Sequence, residues 1–429
     1  MALCYSVKFK KLNFAGKLLV EKEGEIVLDR KFFRLKGKGA NDHGEIVNLT
    51  DIKEIKLGKD EFTFNTFAKE QFCLTRFSGS LDAFLEDFYK IKNEFFTEQL
   101  FMKVGMLVNQ FDCMVETFAQ FGKPLSLGKC QIQFYEQSIV ITPKMSEAMV
   151  IYLSFLKHHN FDQDEYVLQM ETEDGNKINV FKMGSNFEDA QEAMDGCMGK
   201  MYQKVLNHLN YVLKGFSPQV LLKLAYAIRD GKAVAFNSLK KIDAALPAKI
   251  MELAFAGNAE LEKKIQYLRC LDKEEQFYVG LAFENTPDGR DVKTKAWFLC
   301  ALPSLNTIVM GISNSGEEKR VLFFRIVMEQ GIASERVEGK ILEINQCMVL
   351  FDYDLCPLYK DKNDLRKSKY RVAILKLAFL RLFRRSFLGI GQNGDVDKFK
   401  KEAERFFAQA KVMQSPALRH KQMFKPTLK

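Results

Sequence analysis

Short runs in which apolar and polar residues alternate occupy the first fifth of the chain and give way at Ser80 to a 3.6-residue periodicity. Leu18 and Val20 alternate with charged neighbours, and Phe62 and Phe64 with Thr63 and Asn65. A period of two places one face of each strand on a core and the other in water. Gly37, Gly39 and the run Asn41-Asp42-His43-Gly44 supply turn chemistry, and Ile46, Leu49, Ile52 and Ile55 carry the strand pattern around Thr50-Asp51. Ser80 is placed to cap a helix whose stripe is Leu81, Phe84, Leu85, Phe88, Ile91 and Phe95. The pattern predicts a strand-rich segment, Gly16–Phe96, sealed by a helix.

A second copy is expected from about Gly128 to Leu206. CQIQF, SIVIT and MVIYLSF read as strands, and EYVLQMETEDGNKINVFKMG aligns with EFTFNTFAKEQFCLTRFSG. This alignment sets Tyr166 at the place of Phe62 and Leu168 at that of Phe64. A helix from Asn186 follows, with Phe187, Ala190, Met194 and Met198 on one side. Between the copies, Glu98–Phe121 reads as helix, ended by Gly122-Lys123-Pro124.

Tyr202–Leu271 reads as about four short helices. FYVGLAFE, AWFLCALP, TIVMGIS, RVLFFRIV and KILEINQCMVLF then read as strands, and their long apolar runs predict cover on both faces. Helices are expected over Lys369–Phe387 and Val396–Lys411. The predicted fold class is α+β: module 1 at 13–121 with an extended helix, module 2 at 125–214, a helical middle at 215–272, a β-rich domain with terminal helices at 273–412 and a basic tail at 413–429.

At 429 residues the chain exceeds one ordinary core. Its 47% hydrophobic and 28% charged residues are those of a soluble globular protein. The formal charge of +9 matters for function only where it is concentrated. Acids and bases are interspersed over Asn13–Phe96. Nine cysteines, at 4, 73, 113, 130, 197, 270, 300, 347 and 356, form no CxxC pair, which fits free thiols in a reducing compartment. MALCYSVKFKKLNF lacks a secretory leader pattern, and no window approaches a spanning length of apolar residues. The expected location is the cytoplasm.

The opening Gly16–Leu18, the step Ile46–Ile52, the FTF and FCL hairpin and the LxxFLxxF helix together resemble the pleckstrin-homology-like superfold, nearest to GRAM-type and bacterial PH-like domains. The C-terminal AWFLCALPSL, FFRI and YRVAILKLAFLRLFRRSFLGIG are similar to uncharacterised bacterial proteins in which such modules precede a WF…LP…FRI region. The resemblance implies two tandem PH-like β-sandwich or barrel modules, each closed by its C-terminal helix, with a third β-rich domain of the same or another kind. It implies binding of phosphoinositides or proteins. Lys22, Arg30, Lys31 and Arg34 are the cations that could serve inositol phosphates, interleaved with Glu21, Glu23, Glu25 and Asp29.

Few residues offer catalysis. The one histidine pair, His158-His159, lies near Asp162 and Asp164, but adjacent strand residues point to opposite faces. GIGQNGD spaces Gly389, Gly391 and Gly394 as GxGxxG after a predicted helix rather than a strand, which reads as a helix stop and turn. Asp352 and Asp354 in FDYDL would share one face of a strand. No metal, cofactor or catalytic constellation is recognised. The densest charge is Arg366, Lys367, Lys369, Arg371, Lys376, Arg381, Arg384 and Arg385, with no acid between Leu365 and Gly394. On one helix, Val372, Leu375, Phe379, Leu382 and Phe383 would fall within about 100° of arc, leaving the cations outside it.

The expected function is a non-catalytic intracellular scaffold that binds protein partners through its modules. The alternative is a peripheral binder of anionic lipid or nucleic acid through helix 366–385. A third is an enzyme with its site around Asp352, Asp354 and Arg325.

Overall fold

The computed structural model describes residues 3–39, 43–118, 125–255, 259–272, 276–285, 292–313, 321–326, 333–365, 368–391 and 395–412; the basic tail at 413–429 lies outside them. The chain is mixed α+β and divides into two compact units. The first comprises the residues up to Met198 together with Lys369–Lys376; the second comprises Gly199–Ser368 and the chain from Leu377 onward.

The first unit opens with β1 (Leu3–Leu12), β2 (Leu18–Leu28), β3 (Phe32–Gly37), β4 (Glu45–Asn48), β5 (Ile52–Leu57), β6 (Glu61–Thr66) and β7 (Gln71–Thr75), then α1 (Leu81–Gln99). The sheet is antiparallel with order β4-β3-β2-β1-β7-β6-β5. Its central strand, β1, precedes the segment that the sequence pattern marked out; Val7 and Phe9 are its buried alternates. The sheet curls. Lys11 on β1 reaches Glu45 on β4 at 2.5 Å and Glu70, at the β6–β7 turn, at 2.8 Å, and these acids come from opposite flanks of the strand order.

Aromatic rings fill this core. Phe62 meets Phe84 and Phe88 edge-on with centroids 5.2 and 5.0 Å apart, and Phe64 stacks on Phe72 at 4.8 Å. Each such pair contributes about 0.5–1.5 kcal/mol beyond the area it buries. Ser80 caps α1 as expected, its hydroxyl accepting from the Ala83 N–H at 3.1 Å.

The second sheet is β8 (Leu107–Phe118), β9 (Leu125–Tyr135), β10 (Ser138–Pro143), β11 (Met149–Tyr152), β12 (Leu156–Asp162), β13 (Val167–Thr172) and β14 (Lys177–Phe181), followed by α2 (Phe187–Val212). Its order, β11-β10-β9-β8-β14-β13-β12, repeats that of the first. The helix expected to continue to Phe121 ends at Gln99 instead, and Leu107–Phe118 is the central strand of the second copy. Phe111, Cys113 and Val115 are its buried alternates, a period of two that the exposed apolar Leu107 and Val108 before them obscure.

The repeat extends to irregular details. A single helical turn, Leu49–Asp51 or Leu153–Phe155, precedes β5 or β12, and each strand then shifts register, at Ile52/Glu54 and at Leu156/His158. Asp51 O accepts from Phe67 N–H at 3.0 Å, as Phe155 O does from Glu173 N–H at 2.9 Å. The pairing corrects the alignment by two positions. Phe62 faces Leu74 as Leu168 faces Val180, so Leu168, not Tyr166, occupies the place of Phe62. Tyr166 is exposed in the preceding turn with φ 52°.

The second unit contains α3 (Pro218–Ile228), β15 (Val234–Ala235), α4 (Phe236–Ile242), α5 (Leu246–Phe255), α6 (Ala259–Arg269), β16 (Gln276–Asn285), β17 (Val292–Leu302), β18 (Thr307–Ser313), β19 (Val321–Arg325), α7 (Ala333–Leu350) and α8 (Cys356–Tyr359). α9 (Arg371–Lys376) belongs to the first unit, and α10 (Ala378–Arg385), β20 (Phe387–Gly391) and α11 (Val396–Val412) return to the second. Its sheet is a meander in sequence order, β15 to β20, unlike the first two.

This sheet is covered on both faces, as its apolar runs predict. Val279, Phe298, Val309 and Phe323 share a core with Leu224, Ile250, Ile265 and Phe406. On the other face Trp297, Met310 and Phe324 are buried, with Phe324 stacked on Phe383 at 4.3 Å. KILEINQCMVLF, expected as a strand, lies in α7 and the turn after it: Val337, Ile341, Ile344, Met348 and Phe351 are buried at spacings of three and four. GIG is likewise strand β20 and not a helix stop, its Gly389 paired with Phe323; Gly394 lies outside the described residues.

Gly389 is held to glycine by packing, because a β-carbon there would be driven into the ring of Phe406. Gly389→Ala is expected to destabilise the protein by about 1–3 kcal/mol. Gly199→Ala, on an open stretch of α2 with nothing in reach of the added methyl, is expected to stabilise it by about 0.5–1 kcal/mol. Urea denaturation of the two variants checks both signs.

Candidate functional site

The eight cations do not share one helix. Arg366 and Lys367 lie outside the described residues. The helix expected over Lys369–Phe387 is interrupted at Leu377, whose backbone is extended at φ −71°, ψ 111°. On one side Val372, Ala373 and Ile374 are buried in the first unit; on the other Leu380 and Phe383 are buried in the second. Two apolar stripes serve two cores, and a continuous helix would have one stripe for both.

Lys369 and Arg371 are exposed on the first unit, and Arg381 and Arg385 on the second. Lys376 donates to Ile52 O and sits over the rings of Phe67 and Phe96, 5.1 and 5.3 Å from their centroids. Arg384 donates to Pro357 O and Lys360 O, and burial pushes its pKa down.

His158 and His159 lie side by side on β12, with His159 Nε2 3.7 Å from Asp195 Oδ1. The Asp162 carboxylate accepts the N–H groups of Asp164 and Glu165 in the turn that follows. Among the described residues no group of three or more His, Cys, Asp or Glu could hold a metal ion. FDYDL is a turn rather than a strand, with Asp352 and Tyr353 at φ 49° and 61°. Asp354 accepts the Cys356 N–H at 2.8 Å, and the Tyr353 hydroxyl donates to Asp230 O. Burial raises the Asp230 carboxyl pKa, against the charge of Lys204 and with that of Asp352. Arg325, at the end of β19, donates its backbone N–H to Ser386 O at 2.7 Å.

Two features had no counterpart in the sequence reading. The first is the junction between the seven-stranded sheets. In its first half α1 buries Phe84, Leu85 and Phe88; in its second half it buries Lys92, Asn93, Phe96 and Thr97. Asn93 uses its whole amide on the β10–β11 loop: Nδ2 donates to Pro143 O at 3.2 Å and Ser146 O at 2.9 Å, while Oδ1 accepts from Ala148 N–H at 2.9 Å. Lys92, 3% exposed, pairs with Glu147 and lies over the rings of Tyr89 and Phe96. Burial pushes the Lys92 pKa down, and the pairing with Glu147 opposes it. Beyond α1, the Ser138 hydroxyl donates to Met102 O at 2.7 Å and accepts from Val104 N–H at 3.1 Å. The sequence held a clue in the polar pair Lys92-Asn93, which lies at helical spacing from Phe88, Tyr89 and Phe96.

The second is the far end of the first sheet. Lys11 draws together the β1–β2 hairpin, the start of β4 and the β6–β7 turn. Around it Phe14 is 79% exposed, Leu19 and Ile46 are each 52% and Leu18 is 46%. The Lys69 ammonium lies 4.8 Å from the Phe14 ring centroid. Cations of the adjoining strands are paired: Glu21 takes Lys8 at 2.7 Å and Lys10 at 3.4 Å, and Glu23 takes Lys38 at 3.1 Å. Among the described residues, four large apolar side chains therefore stand exposed at this end, beside the exposed cations Lys17 and Lys69.

Asn93→Ala would leave two carbonyls and one N–H of the part-buried β10–β11 loop without their amide partner, a cost of about 1–3 kcal/mol. Lys92 sets a pH dependence. Its folded pKa lies below the ordinary lysine value, so between the two the unfolded chain holds a proton that the folded chain has released. Stability is expected to rise with pH through that window, and Lys92→Met is expected to remove the rise. Urea midpoints of wild type and both variants across alkaline pH check this.

Among the described residues no helix is long and apolar enough to cross a membrane. No protein-family model matches the chain, and no curated protein matches it.

Proposed function

We propose that the protein is a non-catalytic scaffold that binds protein partners through two PH-like modules. The strand order with a closing helix, present twice, supports the PH-like reading. One observation carries the binding role. In the second module the loop between the third and fourth strands receives a helix, the second half of α1, through Asn93 and Lys92. The corresponding end of the first module displays Phe14, Leu18, Leu19 and Ile46 to solvent.

An apolar patch of this kind at a loop end suits the apolar face of a partner's amphipathic helix. The alternative of an anionic surface read by the cationic segment draws less support. Lys376 and Arg384 are engaged by backbone carbonyls, and the exposed cations are divided between the units.

A photo-crosslinking residue at position 14 is expected to yield a discrete protein adduct in cells, and the same residue at exposed Lys200 to yield none. Leu19→Asp should lower the adduct yield roughly fivefold or more, the effect of losing about 1 kcal/mol. Equal labelling from both positions, or an adduct indifferent to Leu19→Asp, would remove the patch as a partner site.

A further inference from the structure

Residues 369–376 fold with the first unit although their sequence neighbours on both sides belong to the second. They form one and a half helical turns, too short to persist without a surface to dock on. That surface is built from the turn Leu49–Asp51, Ile52, Phe67, Phe96 and Phe101. Tyr370 is buried with its ring 5.8 Å from that of Phe101, and Val372, Ala373 and Ile374 are buried beside it.

The last contact is the informative one. Lys376 places its ammonium over two phenylalanine rings and donates to the Ile52 carbonyl, while Phe67 remains 41% exposed. An ammonium over two rings beside a carbonyl acceptor is also the chemistry by which proteins recognise a cation, and here it is supplied by a segment whose sequence neighbours belong to the other unit.

We infer that residues 369–376 are an internal ligand and that the groove beneath them is a peptide-recognition site. Its partner is a short helical protein segment carrying an aromatic, then an aliphatic side chain four residues later and a lysine six residues later, the spacing of Tyr370, Ile374 and Lys376. The tethered strap competes with that segment and lowers its apparent affinity by the fraction of time the groove is filled. The inference rests on the scaffold reading only in taking the partner to be a protein, and it is separate from the patch at Phe14: Leu19→Asp leaves this groove's binding unchanged.

The test uses the full chain and a fluorescein-labelled peptide spanning residues 368–378, read by fluorescence polarisation. In a chain with the strap released, Tyr370→Ser/Ile374→Asp/Lys376→Ser, the peptide is expected to bind saturably and at least about tenfold tighter than to the wild-type chain. A peptide with Lys376→Met should bind that released chain about fivefold more weakly. A milder full-chain variant, Lys376→Met alone, should bind the wild-type peptide with intermediate affinity. Three results would each overturn the inference: a folded released chain that ignores the peptide, equal binding by wild type and released chain, or a released chain whose first unit no longer melts cooperatively, since an exchangeable strap must leave its groove intact.

Discussion

Asn93 lies on the buried side of α1, opposite the exposed Lys90, Glu94 and Glu98, and the first unit depends on how its amide is satisfied there. The helix has already buried Phe84 and Phe88 in its own sheet before its second half meets the neighbouring one. An asparagine buried there must pair both ends of its amide or cost more than it contributes. It pairs both, with Pro143, Ser146 and Ala148. Lys92 meets the same demand with Glu147 and the rings of Tyr89 and Phe96 around its ammonium. One helix therefore closes the first sheet and docks the second, which makes the pair a single compact body.

The two sheets reach one topology with different side chains. Where the first has Phe62, Phe64, Phe72 and Leu74, the register of the second has Leu168, Met170, Ile178 and Val180. Rings packed edge-on and aliphatic side chains packed by shape both fill a curled sheet, provided the inward alternation is kept. The conserved features of the repeat are accordingly backbone ones: the helical turn before the fifth strand, the register shift after it, and the four-residue hairpin turn. The second unit solves a different problem. A sheet buried on both faces needs glycine where a ring from the neighbouring layer presses close, and Gly389 meets Phe406 in this way.

The cationic segment illustrates how one property of sequence can serve separate ends. On one unbroken helix its apolar residues would form a single stripe with the arginines and lysines outside it. A single extended residue at Leu377 divides them. Lys376 then holds an octapeptide against the first unit, and Arg384 ties α10 to the carbonyls around α8.

Periodicity along the chain determined the α+β class, the paired strand-and-helix modules, the Ser80 cap and the two-sided burial of the third sheet, because each is a local or near-local consequence of where apolar residues recur. It failed at β8, where the exposed apolar Leu107 and Val108 break the alternation, and at α7, whose apolar-rich stretch suits a buried helix as well as a buried strand. The contacts that join distant segments were decided only in three dimensions. Asn93 with the β10–β11 loop, Lys11 with Glu45 and Glu70, and Lys376 between Phe67 and Phe96 each link residues far apart in sequence. A polar side chain carries no mark of its partner; which carbonyl or ring it meets is settled when the chain closes around it and water is no longer there to satisfy it.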